Sequence, residues 1–154
     1  MRQTIVRTEP SSVDRPSFTA HRALRIAEVI TSVRLSDDDV KSVGELCRRS
    51  AIGLAPDTFR GWCRGEGVSS RAVLRFARVF RAVFLAARAG CSPAECLDAD
   101  YRTVDVMFAL GALSHLMSGQ RITVEEFCVA QRYISNERII ECVLGLCPRA
   151  PGSS

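Results

Sequence analysis

Between Pro56 and Glu66 the chain reads PDTFRGWCRGE, and helical spacing gathers its polar residues on one side. Arg60 offers a planar fork of donors that matches O6 and N7 of guanine, and the carboxylate of Asp57 can accept from N4 of cytosine. Thr58 can bond a base edge of either kind. Gly61, with no side chain, would let a DNA backbone approach or else mark a motif losing its role, at a cost to the helix of about 1 kcal/mol relative to alanine. These four are the candidate base readers. Arg64, further along, suits a phosphate, as do Arg48 and Arg49 at the end of the preceding helix and Ser69, Arg71 and Arg75 at the start of the following one. Arg48 and Arg49 would equally complement the dipole of the helix that they end. Such residues recognise rather than catalyse. The two histidines pair with no nucleophile, no glycine-rich phosphate loop is present, and no carboxylate pair forms a recognisable motif, so an enzyme is not expected.

The elements that would hold these residues are two short helices and a long one. Val43, Leu46 and Cys47, then Ile52 and Leu54, then Phe59, Trp62 and Cys63 recur at helical spacing around a turn. Gly53 lies in that turn, where a positive φ is usually needed, and Pro56 stands at the first position of the next helix, where its missing N–H matters little. Helices joined this tightly cannot lie antiparallel, so the second projects and can enter a major groove. Phe59 and Trp62 are expected inward. Ser69 or Ser70 then caps a helix from about Ser70 to Ala89, with Val73, Phe76, Ala77, Phe80, Val83 and Phe84 on one side. Arg71, Arg75, Arg78, Arg81 and Arg88 form a basic row opposite, interrupted by Leu74 and Leu85.

The order of these residues resembles the AraC/XylS family of bacterial transcription regulators. The matching positions are Leu46-Cys47, Gly53-Leu54-Ala55-Pro56, Thr58-Phe59-Arg60-Gly61-Trp62-Cys63 and Gly67-Val68-Ser69-Ser70, with Leu74, Arg78, Val79 and Ala82 in the long helix. The resemblance runs from about Ala20 to Ala87. It departs at Ala55, where the family has a turn serine, at Asp57 and Gly61, and by one missing residue before Gly67. It implies a sequence-specific DNA-binding regulator in which the long helix links two helix-turn-helix units. Their recognition helices would stand about one DNA turn apart. The ligand-sensing domain that many members carry is not expected within these 154 residues.

Charge follows the motif. From Lys41 to Gly90 ten basic residues face three acids, a balance of +7; from Cys91 onward five arginines face eight acids, a balance of −3. A basic middle and an acidic second half suggest a molecule that turns its middle to nucleic acid. All but one of the 21 basic residues are arginine. The seven cysteines are odd in number and mostly at apolar helical positions (Cys47, Cys63, Cys96, Cys128, Cys142), which fits reduced core thiols. Cys91/Cys96 and Cys142/Cys147 are each five apart, a poor match to zinc-ligand spacing, and neither metal nor cofactor is expected.

Length suits one domain, since 154 residues fall within the usual range of about 100–200. The expected fold is all-α. A disordered arm over 1–17 precedes a domain over 18–147, made of a tri-helical helix-turn-helix unit over 20–68, the linker helix over 70–89 and a degenerate second subdomain over 91–147. A disordered tail covers 148–154. The first helix, about Ala20 to Arg34, should bury Leu24, Ala27, Ile30 and Val33, and Ser42 with Glu45 forms a capping box. Ser92, Pro93 and Glu95 cap a short helix over Pro93–Leu97. A second recognition helix would run from about Asp100 to Leu113, with Tyr101, Arg102, Thr103 and Asp105 near its start. Asp98, Asp100 and Asp105 would meet phosphate with like charge, so little DNA contact is expected there. Helices over Ile122–Tyr133 and Glu137–Leu146 should turn Val124, Phe127, Cys128, Ile139, Ile140, Val143 and Leu144 to the core.

No apolar run is long enough to cross a bilayer and the first residues lack a signal-peptide core, so no membrane partner is expected and the cytoplasm is the expected location. The expected partner is double-stranded DNA, with RNA polymerase or another protein on the acidic half. The alternative is a helical interaction module, an adaptor or anti-activator, that retains the fold without reading DNA.

Overall fold

The computed structural model describes residues 21–147, and among them every regular element is helical. The expected arm over 1–17 and tail over 148–154 lie outside these residues. In order come α1 (21–32), α2 (Val43–Arg49), α3 (Pro56–Gly65), α4 (Ser70–Ala89), a 3-10 turn (Pro93–Cys96), α5 (Tyr101–Leu110), a second 3-10 turn (Ser114–Ser118), α6 (Val124–Ala130) and α7 (Glu137–Leu146).

Local chemistry sets the boundaries. Ser42 caps α2 by accepting from the Glu45 N–H, but the Glu45 carboxylate returns to the Lys41 N–H, so the expected box closes one residue early. Gly53 has φ +56°, and Pro56 opens α3. The Ser69 hydroxyl accepts from the N–H groups of Arg71 and Ala72 at the start of α4, and Gly90 ends that helix with φ +75°. Thr123 and Glu126 form a reciprocal capping box at α6. That helix is shorter than Ile122–Tyr133 because Gln131 leaves it: its buried amide accepts from the N–H groups of Tyr133 and Ile134 and donates to the Ile134 carbonyl, holding a non-helical turn.

The centre of the fold is α4, buried on more sides than an amphipathic helix would be. Val73, Phe76, Ala77 and Phe80 are buried, and so are Val79, Ala82 and Arg81 beyond the expected apolar side. Phe76, Phe80 and Phe84 gather around Phe127 of α6 with ring centroids 5.3, 5.2 and 5.9 Å from it. Edge-to-face contacts of this kind add about 0.5–1.5 kcal/mol each beyond simple burial. α1 contributes Ala23, Ile26, Ala27, Val29 and Ile30 to the same core, and Val33 follows just after it. Leu24 is a correction: it is exposed, because Ile26 and Val29 bring the other flank of the helix inward and leave Leu24 beyond the edge of the buried stripe. Of the α6 and α7 faces, Phe127, Cys128, Ile139 and Val143 are buried, with Val124, Ile140 and Leu144 half-buried against them.

Among the described residues no helix is long and apolar enough to cross a membrane, and no group of three or more His, Cys, Asp or Glu side chains could hold a metal ion.

Candidate nucleic-acid interface

α3 is anchored from beneath and from its end. Phe59 and Cys63 are buried, and Trp62 is half-buried against the same core. Burial lifts the Cys63 thiol to about 12, so it is a neutral packing group. The helix stops at Glu66, whose side chain is fully buried. Its carboxylate accepts from Arg22 Nε of α1 at 3.2 Å and from Arg138 Nη2 of α7 at 3.0 Å, and Asn136 Nδ2 donates to the Glu66 carbonyl at 2.8 Å. Asn136 also caps α7 through the Ile139 N–H. Three helices therefore meet at one carboxylate. Gly65 permits it, since a Cβ there would lie 2.9 Å from Arg22 Nε. Sequence reasoning missed this clamp. The signal was an acidic residue at a helix C-terminus, where the dipole disfavours it unless a cation compensates.

The outward face of α3 has no such ties. Asp57, Thr58, Arg60 and Arg64 are exposed and Gly61 is half-buried. Arg60 and Asp57 pair with each other across one turn at 3.4 Å. An exposed bridge of this kind is worth about 1 kcal/mol at most, so a stronger partner can break it. A Cβ at Gly61 would meet only Arg64 Nη2 at 3.9 Å, so the protein itself does not require glycine there.

The phosphate candidates divide. Arg48, Arg64 and Arg71 are exposed and form no ion pair among the described residues. Arg49 is exposed but bonded to the Ser36 hydroxyl and within 3.7 Å of Asp38 and 3.6 Å of Glu45. The Ser69 oxygen is occupied as the α4 cap, leaving its proton to donate. Arg75 is half-buried, and its charge bears on Tyr133.

The basic row on α4 requires a second correction: Arg78 and Arg81 are not solvated. Arg78 grips the buried Asp39 with two bonds, at 2.6 and 3.0 Å, and Asp39 also accepts from the Asp98 N–H. Arg81 is 3% exposed and donates to the carbonyls of Ser36, Asp37 and Cys96 at 2.7–2.8 Å. Both hold down the segments before α2 and α5. Lys41 pairs with Asp98 at 2.9 Å, which lowers the Asp98 carboxyl and raises the Lys41 ammonium. The excess charge of the middle region is thus partly internal, and the part left to solvent centres on α3 and the start of α4.

The second half is arranged otherwise. Its short helix is the 3-10 turn Pro93–Cys96, with Ser92 donating to Glu95 from both its N–H and its hydroxyl. Asp100 caps α5 through the Thr103 N–H, so its charge is engaged locally. Tyr101, Arg102, Thr103 and Asp105 are exposed on α5, together with the apolar Val106 and Leu110. The cysteines are free; Cys47, Cys63, Cys128 and Cys147 are buried, whereas Cys91 and Cys96 sit side by side with sulfurs 3.8 Å apart. Burial pushes the Cys96 thiol up to about 11 and the Cys128 thiol to about 12. Compared with family models, curated proteins and solved structures, the chain matches none of them, and its function rests on this geometry.

Proposed function

We propose that the chain is a sequence-specific DNA-binding regulator of the helix-turn-helix kind, with α3 lying in the major groove and Arg48, Arg64, Arg71 and Arg75 on the flanking phosphates. The observation that carries this reading is the contrast between the two sides of α3. Its inner side and its end are fastened by Phe59, Cys63 and Glu66, while among the described residues Asp57, Thr58 and Arg60 hold no tie beyond α3 itself. A rigid helix with an uncommitted polar face suits base recognition, because little ordering remains to oppose binding. Arg60 is the proposed guanine reader and Asp57 the cytosine reader once their mutual pair opens.

The test is selection of bound duplexes from a random pool, followed by affinity measurements over a range of salt. Arg60→Ala should lose about 1–3 kcal/mol on the selected sequence and relax the choice at one base pair. An unchanged preference, with folding intact, would refute recognition by α3.

A protein-interaction role is the second reading, favoured by α5. Val104, Met107 and Phe108 bury one side of that helix, yet Val106 and Leu110 are 50% and 51% exposed on the other, and Tyr101 at its start is 73% exposed. Apolar side chains on both faces fit a helix with a second partner, such as RNA polymerase. On this reading the chain shows no salt-dependent affinity for duplex DNA, and Val106→Ser with Leu110→Ser would abolish capture of the protein partner.

A further inference from the structure

We propose that a cavity remote from α3 binds a small organic monocarboxylate with an apolar body. The cavity, about 490 Å³, opens between the end of α1, the second half of α4, the approach to α6 and the end of α7. That size falls within the roughly 300–1,000 Å³ of small-molecule sites. Phe80, Phe84, Ile122 and Leu144 supply an apolar lining from three separate elements.

Three arginines line its wall: Arg34, Arg88 and Arg121. Arg34 and Arg88 make no ion pair among the described residues, and Arg121 has one long bond, 3.5 Å, to the Ala87 carbonyl. The one acid on the wall, Glu125, is engaged in an interaction of its own. Along the middle of α4 the fold matches its arginines closely, Arg78 at Asp39 and Arg81 at three carbonyls. Three arginines against one acid leave the wall with an excess of positive charge that an anion would balance, and the planar fork suits a carboxylate in particular. An apolar lining beneath that charge excludes a strongly polar anion such as a nucleotide, whose body would be desolvated without partners. One charge at the rim and a hydrocarbon below satisfies both halves of the site. The segment 148–154, which follows Cys147 at the cavity wall, does not have these features: RAPGSS after Pro148 has neither an acidic nor a large apolar side chain.

The full-length protein can be tested with 8-anilinonaphthalene-1-sulfonate, an amphipathic anionic dye, displaced by octanoate, octan-1-ol or octylamine. Octanoate should compete best, octan-1-ol at least about tenfold less well and octylamine not at all, as expected where a charged hydrogen bond is the difference. Octanoate should also raise the melting temperature, since it binds the folded state. Arg88→Gln combined with Arg121→Gln should weaken octanoate about tenfold and leave octan-1-ol unchanged. Ile122→Trp, which fills the space, should abolish both. Equal competition by octanoate and octylamine, or undiminished octanoate binding by the double variant, would overturn the proposal. So would a dye signal seen only after Ile5→Ser and Val6→Ser, which would assign the cavity to the chain's own N-terminal segment.

Discussion

Arg71 and Arg75 stand on the same helix as Arg78 and Arg81, yet the two pairs do different work. On an ideal helix Arg71, Arg75 and Arg78 fall within an arc of about 60°, so angle does not separate them. Covering does. The segment through Ser36–Asp39 and the one through Cys96–Asp98 pass over the middle of α4 and turn its arginines into internal fasteners. Among the described residues no segment covers Arg71. A basic stripe thus marks a helix face but does not say whether that face meets solvent, and charge counted along a sequence overstates what is offered to a nucleic acid.

The most severe test of this contrast is Arg81→Ala. It strands three carbonyls and leaves a void, so stability in urea should fall by about 3–5 kcal/mol. A loss below about 0.5 kcal/mol would return Arg81 to the solvated row. Arg78→Lys should come next, at about 1–3 kcal/mol, because an ammonium cannot reproduce the two-pronged grip on Asp39. The matching change Arg71→Lys should leave the unfolding curve where it is. Equal effects at the two positions would erase the distinction.

Arg71→Ala should alter stability by no more than about 0.5 kcal/mol. In DNA binding it should weaken all duplexes alike and make the dependence of affinity on salt shallower by about one unit. Wild-type salt dependence in this variant would remove Arg71 from the interface. The smallest effect is expected at Gly61→Ala, which should stabilise α3 by up to about 1 kcal/mol, since nothing in the protein obstructs the added methyl group. If a DNA backbone packs against Gly61, affinity should fall while stability rises. A parallel rise in both would show that the glycine serves neither.

Short-range information made much of the fold legible. Helical periodicity and the preferences of Ser42, Ser69, Gly53 and Pro56 located all-α elements and their caps, because these effects act within a turn or two of chain. The outward set on α3 was legible for the same reason: Asp57, Gly61 and Arg64 fall away from Phe59 and Cys63 whatever the rest of the chain does, with Thr58 and Arg60 at the flanks. The sequence by itself determined which side chains share a face. Tertiary structure alone decided which faces are covered, through contacts between residues 39 to 72 positions apart: Asp39 with Arg78, Glu66 with Arg22 and Arg138, Ser36 with Arg81. Such pairings leave no periodic trace, since a buried arginine and a solvated one occupy a helix in the same way until another segment closes over one of them.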